Sequence, residues 1–107
     1  MLRLWAERET LLAALDDLPL TLCHQDLYPP NLFARYDVHG RDQTVLIDWS
    51  YLGHGPLGQD IGNLVPDSVW IGYVPAAALR VLEQVVWNGY LAGLETEEWE
   101  GDPRSVR

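Results

Sequence analysis

Two acids and one amide, spaced along residues 26–48, could together hold a divalent metal ion beside a reacting hydroxyl. Asp26 and Asn31 are separated by four residues, and Asp48 follows the apolar run 45–47. Carboxylate and amide oxygens are the hard ligands that Mg²⁺ takes, and Mg²⁺ leaves coordination positions for phosphate oxygens. The spacing therefore predicts a magnesium site that handles a phosphate group.

The three side chains have separate predicted roles. Asp26 is the candidate catalytic base, which accepts the proton of an acceptor hydroxyl and aims its oxygen at the phosphate; such catalysis contributes about 10²–10⁴ in rate. Asn31 and Asp48 are the candidate Mg²⁺ ligands, and Asp48 would also bridge the metal to the phosphates. In the structural alternative, Asp26 and Asn31 only cap turns in a loop that contains Pro29.

The structural alternative is weaker for Asp48. An acid that closes an apolar strand is costly to bury unless a cation pairs with it. The chain contains no lysine, so a metal ion or an arginine would have to balance the carboxylate.

Two further residues are expected to support the site without touching substrate. His24 would brace the loop through backbone hydrogen bonds rather than react, and Asp60 would fix the same loop from behind. His39 lies in a predicted turn and His54 in a predicted loop, and both are expected to be exposed to solvent.

Helices are predicted over residues 2–17 and 76–91, where apolar residues recur on one helical face. Pro19 ends the first helix, because the residue before a proline is pushed out of the helical region. Both stripes are expected to be covered by protein. Their members are Leu4, Leu11, Leu15 and Leu18 in the first helix, and Leu79, Val81, Leu82, Val85, Val86 and Tyr90 in the second.

A strand and a hairpin are predicted on either side of a rigid loop. Residues 20–23 are β-prone, and the prolines of Tyr28-Pro29-Pro30 exclude helix and central strand. Residues 31–36 and 44–48 form the predicted hairpin, with its turn in 37–43. The hairpin would return Asp48 towards Asn31.

The second half of the chain gives weaker signals. Residues 50–59 are predicted to be a glycine-rich loop, and a helix could begin at Asp60. The aromatic segment 69–74, between Pro66 and Pro75, receives no assignment. The tail, 95–107, is expected to lack a closing element, like a chain cut before its next helix.

Composition limits the class of protein. The 107 residues allow one domain, and a formal net charge of −9 argues against nucleic acid and anionic membrane surfaces and favours a cationic small molecule. A single cysteine, Cys23, excludes a disulfide framework within the chain. The charged N-terminus does not fit a signal peptide, and no apolar run is long enough for a membrane span, so a cytoplasmic protein is expected.

Two other patterns in the sequence could indicate a site. Residues 53–58 fit G-x-G-x-x-G, but Pro56 removes an amide that a phosphate cradle would use, and no acid follows the next strand candidate to hold a ribose. His24, Asp26, His54 and Asp60 have the ligand types of a zinc or manganese hydrolase, although this grouping leaves Asn31 and Asp48 unexplained.

In three stretches, 24–32, 46–49 and 55–62, the sequence resembles the aminoglycoside phosphotransferase and choline kinase-like superfamily, whose fold is similar to that of protein kinases. The resemblance implies that Asp26 is catalytic, that Asn31 and Asp48 bind Mg²⁺, and that Asp60 braces the loop. It also implies transfer of the γ-phosphate of ATP or GTP to a hydroxyl of an antibiotic, choline, a sugar or a similar metabolite.

The fold class implied is α+β, mainly helical: the C-terminal lobe of a protein kinase-like fold, with a short β-hairpin carrying the metal site. Family members also have an N-terminal lobe with a nucleotide-covering loop, a strand lysine and a helix glutamate. Residues 1–107 are therefore interpreted as a single partial domain whose nucleotide lobe is absent.

Without that N-terminal lobe, the chain would lack the part that holds the nucleotide. Phosphoryl transfer depends on positioning and charge stabilisation, so the loss would remove most of the catalysis. The chain alone is therefore expected not to be a competent kinase but a fragment, a split gene's second half or a truncated relative, and a separate N-terminal lobe is one candidate partner. Two alternatives stay open: a non-catalytic binding module derived from the lobe, and the metal-dependent hydrolase.

Overall fold

Two helices, four strands and two further helices follow one another along the chain in a computed structural model that describes residues 2–36, 39–40 and 42–106. The helices are α1 (Leu2–Ala6), α2 (Arg8–Asp16), α3 (Gln59–Trp70) and α4 (Leu79–Thr96), and the strands are β1 (Leu20–Cys23), β2 (Leu32–Tyr36), β3 (Asp42–Leu46) and β4 (Gly53–Pro56). This is the mixed, mainly helical class that the sequence predicts. None of the helices within these residues combines the length and the hydropathy that crossing a bilayer requires.

The N-terminal helical region is present but is divided and uncovered. Glu7 leaves the helical conformation between α1 and α2, and α2 ends at Asp16, ahead of Pro19. The prediction that this stripe is core is wrong, since Leu4, Leu11 and Leu15 are exposed. A stripe shows that a face is suited to burial, but it does not show that a second element is present to cover it.

One sheet joins β1 to β4, in antiparallel register from Leu20 opposite Pro56 to Cys23 opposite Gly53. The prediction of a loop throughout residues 50–59 is therefore wrong, because residues 53–56 are a strand. The close packing at Gly55 requires glycine. A side-chain carbon at this position would lie 3.2 Å from the Cys23 sulfur and would overlap the Gln59 side chain.

The other sheet is the predicted hairpin. β2 and β3 pair antiparallel, from Leu32 opposite Leu46 to Tyr36 opposite Asp42. β3 ends at Leu46, so Asp48 lies beyond the strand instead of closing it. Residues 37, 38 and 41 of the predicted turn lie outside the described residues, while His39 is exposed as expected.

The helix predicted to begin near Asp60 is confirmed as α3, and it continues through Pro66 to Trp70. The start of the unassigned segment 69–74 is therefore helical. Gly72 then takes φ +79, and the Val74 amide donates to the Ser68 carbonyl at 3.0 Å, which satisfies a carbonyl at the helix end.

Residues 76–78 form a 3-10 turn that leads into α4, so the second predicted helix is confirmed with a later end. The prediction that its apolar face is covered is wrong in part: Leu79, Val81 and Val85 are exposed, whereas Leu82, Val86 and Tyr90 are half-buried. α2, α3 and α4 border an apolar groove of about 1090 Å³ that Leu15, Val65 and Val86 help to line.

The tail does have a closing element. Residues 103–106 form a 3-10 turn, and Val106 is 8% exposed. Within the described residues, Val106 and Cys23 are the only buried apolar side chains. The expectation of an open tail is wrong, because this turn folds back against Gly58 at the start of α3.

Candidate functional site

The loop between β1 and β2 is held by Asp60, which lies in the first turn of α3. Its two carboxylate oxygens accept the backbone N–H groups of His24 and Gln25, each at 2.8 Å. Gln25 has φ +63, a left-handed conformation that costs a residue with a side chain about 1–2 kcal/mol. Hydrogen bonds to a charged acceptor are stronger than neutral ones, so Asp60 offsets the cost of a backbone that brings the chain to Asp26.

His24 joins this loop to the segment after the hairpin. Its ring is 2% exposed, with Nε2 2.8 Å from the Ile47 carbonyl oxygen and Nδ1 3.3 Å from the backbone nitrogen of Asp26. A carbonyl only accepts and an amide N–H only donates, so these contacts require a neutral ring with its hydrogen on Nε2. The ring also lies 4.6 Å, between centroids, from Trp49.

Asp26 and Asn31 are in direct contact. The Asn31 side-chain nitrogen donates to the Asp26 carbonyl oxygen at 2.9 Å and to its Oδ2 at 3.0 Å. Residues 29–31 form a 3-10 turn, in which the two prolines occupy positions that need no amide donor. Among the described residues, these contacts fix one carboxylate oxygen of Asp26 and leave the other without a hydrogen-bond partner.

The segment that carries Asp48 is hydrogen-bonded to Asn31 through its backbone. The Ile47 amide donates to the Asn31 carbonyl at 3.1 Å, which continues the hairpin pairing by one residue. Asp48 then turns into a left-handed conformation, with φ +59 and ψ +65, and its Oδ1 accepts the Ser50 hydroxyl at 2.6 Å. It is exposed, so the expected cost of burying an unpaired acid at a strand end does not arise.

The comparison with protein families decides what kind of protein this is. The family model described as "Phosphotransferase enzyme family" (APH) matches residues 1–99. The chain belongs to this phosphotransferase family. A search of curated proteins and a search of solved structures gave no match. The family resemblance read from the sequence is thereby confirmed, and it implies a kinase-like phosphotransferase in general.

In the part of this phosphotransferase that the structure describes, one side-chain oxygen of Asn31 and one of Asp48 have no hydrogen-bond partner, and both suit a magnesium ion in their chemistry. Asn31 keeps its Oδ1, because its nitrogen is committed to Asp26. Asp48 keeps its Oδ2, because Ser50 bonds the other oxygen. Mg²⁺ is usually held by one or two carboxylates together with water and substrate phosphates, and not by a full cage of protein ligands. Asn31 and Asp48 could therefore each offer one oxygen to such an ion, and Asp26 is in contact with Asn31.

The metallohydrolase interpretation finds no support in this phosphotransferase. Within ranges 2–36, 39–40 and 42–106, no three or more histidine, cysteine or acidic side chains are grouped so that they could hold a metal ion. Both ring nitrogens of His24 and both oxygens of Asp60 already have backbone partners. His54 is exposed, as expected, and its carbonyl accepts a hydrogen bond from the Gln25 side chain at 3.2 Å.

Sequence reasoning missed Gln25 and Ser50. Nothing in the sequence marks Gln25, because asparagine, aspartate and glycine are the residues expected at positive φ. Ser50 carried a usable signal: a hydroxyl two positions after an aspartate is well placed to bond its carboxylate when the chain turns.

Burial changes the pKa of the Cys23 thiol, at the end of β1. Desolvation raises the pKa of Cys23, the charge of nearby Asp60 raises it further, and a backbone hydrogen bond from Gly55 lowers it. The thiol therefore stays protonated at neutral pH and acts as a packing group below the strand pair.

Proposed function

We propose that this chain carries the catalytic and magnesium-binding residues of an ATP- or GTP-dependent phosphotransferase, which moves a γ-phosphate to a hydroxyl of a small molecule. The observation that carries the proposal is the double contact of the Asn31 amide with Asp26, at 2.9 and 3.0 Å. It holds a carboxylate in place and turns an amide oxygen away from it, as a base beside a metal ligand requires. Family membership supports the same reaction class.

Asp26 would orient the acceptor hydroxyl and take its proton. Oδ2 is held by Asn31, so Oδ1 is the oxygen that can receive the proton. Proton acceptance by a fixed carboxylate contributes about 10²–10⁴ in rate. Asn31 and Asp48 would hold Mg²⁺, which when bound neutralises charge on the phosphate oxygens. Because Asp60 holds the start of the loop and Asn31, at its end, bonds Asp26 directly, Asp26 needs little reorganisation before the reaction.

A separate polypeptide segment is proposed to supply the nucleotide clamp. The chain has no lysine to place on the phosphates, and the exposed apolar faces of α2 and α4 are suited to packing against further protein. We therefore interpret the chain as the C-terminal lobe of a kinase-like fold, working in the cytoplasm where ATP and Mg²⁺ are supplied. The net charge of −9 favours a cationic acceptor.

The test is a calorimetric titration with Mg·ATP and, separately, with Zn²⁺. Asp48→Asn should abolish whatever magnesium binding the titration detects, and Asp26→Asn should leave it largely intact, because of these two acids only Asp48 is assigned to the metal. Asp42→Asn, an exposed acid on the same hairpin, is the matched control and should bind like the unsubstituted chain. Binding that depends on Asp26 but not on Asp48 would reverse the two roles. Zn²⁺ binding that needs His24 and His54 would reinstate the hydrolase.

A non-catalytic binding module is the second candidate, and the missing lysine is the observation that favours it. Transfer of labelled γ-phosphate to aminoglycosides, choline and sugars distinguishes the two. Mg·ATP binding without transfer, even when a lysine-bearing N-terminal lobe of the family is added, would favour the binding module.

A further inference from the structure

We propose that Val106, in the C-terminal turn, and Tyr90, on α4, are positioning residues that hold Gly58 and so place Asp60 against the loop carrying Asp26. The catalytic role of Asp26 rests on the proposed function. The positioning of its loop can be measured whether or not that function is correct.

Val106 presses directly on the backbone of Gly58. Gly58 has φ +92, and a side-chain carbon built there would lie 2.5 Å from the Val106 carbonyl oxygen and 2.7 Å from its Cγ1. Both the backbone conformation and the close approach therefore require glycine. Many large apolar side chains of the described residues are exposed, and besides Val106 only Cys23 is a buried apolar residue among them, so burial of Val106 reflects a specific contact and not general collapse.

Tyr90 holds Gly58 from a second direction. The Gly58 N–H donates to the Tyr90 hydroxyl oxygen at 3.1 Å, across 32 positions of sequence. Gly58 is buried and Tyr90 is half-buried, so removing the hydroxyl would leave a buried amide without this acceptor. Such an unsatisfied group is costly.

Gly58 controls the first turn of α3. It is the residue before the helix, and its carbonyl accepts the Gly62 amide at 3.1 Å. Asp60 lies two positions further, and its carboxylate bonds the His24 and Gln25 amides at 2.8 Å. A shift of Gly58 therefore moves the group that holds Gln25 at positive φ, and Asp26 is the next residue.

Amide hydrogen exchange, followed by NMR on the full chain without metal or nucleotide, tests this chain of contacts. Val106→Ala should accelerate exchange of the Gln25 and His24 amides about tenfold or more relative to amides of the β2–β3 hairpin, because a local contact is lost and not the whole fold. Val85→Ala, a truncation at a valine that is 64% exposed, should not. Val106→Ile, which preserves the apolar contact, should restore protection.

Tyr90→Phe tests the second contact and carries the experiment if Val106→Ala fails to fold. It should accelerate the same two amides, while Tyr73→Phe, at a tyrosine that is 62% exposed, should leave them unchanged. Equal acceleration across loop and hairpin, or unchanged protection of the Gln25 amide in Tyr90→Phe, would overturn the proposal. The exchange experiment uses no ligand, so a failure to bind Mg·ATP would not change the exchange rates expected here. Likewise, unchanged exchange rates would not decide whether the chain binds Mg·ATP.

Discussion

The carboxylate of Asp60 lies 2.8 Å from the backbone nitrogen of Gln25, although 35 positions separate the two residues. Its other oxygen takes the neighbouring amide of His24. A helix that begins near residue 60 thus fixes a loop that precedes the hairpin. The strained residue of that loop is held by a distant carboxylate and not by its own local sequence.

Replacing Asp60 should therefore destabilise the chain more than replacing another acid of the same helix. Asp60→Asn leaves one amide donor facing an NH₂ group, and we expect the free energy of unfolding to fall by about 1–3 kcal/mol. Asp67→Asn, on α3 and half-buried, is the control and should change it by about 0.5 kcal/mol or less. Urea unfolding followed by tryptophan fluorescence measures both. Equal losses would show that the two amides do not depend on the carboxylate.

The structure also predicts which nitrogen of the His24 ring carries the hydrogen. Its contacts with the Ile47 carbonyl and the Asp26 amide require a proton on Nε2 and none on Nδ1. The ¹⁵N chemical shifts of the ring should show that Nε2 carries a hydrogen and that Nδ1 does not. The opposite assignment would mean that the bond to Ile47 is not formed in solution. Exposed His54 should instead show averaged tautomers.

The hairpin could be predicted because its signals are local. Alternating β-prone residues on both sides of a turn-rich stretch specify an antiparallel pair, and Leu32 does pair with Leu46. The contact of Asn31 with Asp26 follows from a short, proline-stiffened loop. The left-handed backbone of Gln25 could not be predicted, because it is held by Asp60, 35 positions away, and not by residue preference.

The apolar stripes failed as predictions for a different reason. Val85 and Val86 both belong to the stripe of α4, yet Val85 is exposed and Val86 lines the groove beside α3. Periodicity gives the face of a helix that could be buried, but the number of elements available to cover it is a property of the whole chain.

This difference can be measured with two adjacent substitutions. Val85→Ala should be neutral or slightly stabilising, since alanine has the higher helix propensity and little contact is lost. Val86→Ala should lower the free energy of unfolding by about 0.5–1.5 kcal/mol, because it removes methyl groups from the groove wall. Thermal or urea unfolding of both variants decides the matter. A larger loss at Val85 would indicate that another copy or segment covers that face.

Alkaline pH should destabilise the chain. Burial raises the pKa of the Cys23 thiol above its ordinary value of 9.0 and that of the Tyr90 hydroxyl above 10.0. The folded state therefore holds protons that the unfolded chain releases first, so stability is full below these ordinary values and falls as pH rises through and above them. Cys23→Ala should flatten the decline that begins near pH 9. An equally steep decline in that variant would exclude the thiol as its source.

The most direct measurement places a paramagnetic substitute for Mg²⁺. Mn²⁺ also prefers oxygen ligands, and it broadens NMR signals of the nuclei around it. Titrated into ¹⁵N-labelled chain, it should first broaden the Asn31 side-chain amide and the Asp48 backbone amide, and the effect should disappear in Asp48→Asn but persist in Asp26→Asn. Broadening centred on the acidic residues 95–100 and unchanged in Asp48→Asn would contradict the assignment of Asn31 and Asp48 as a shared metal site.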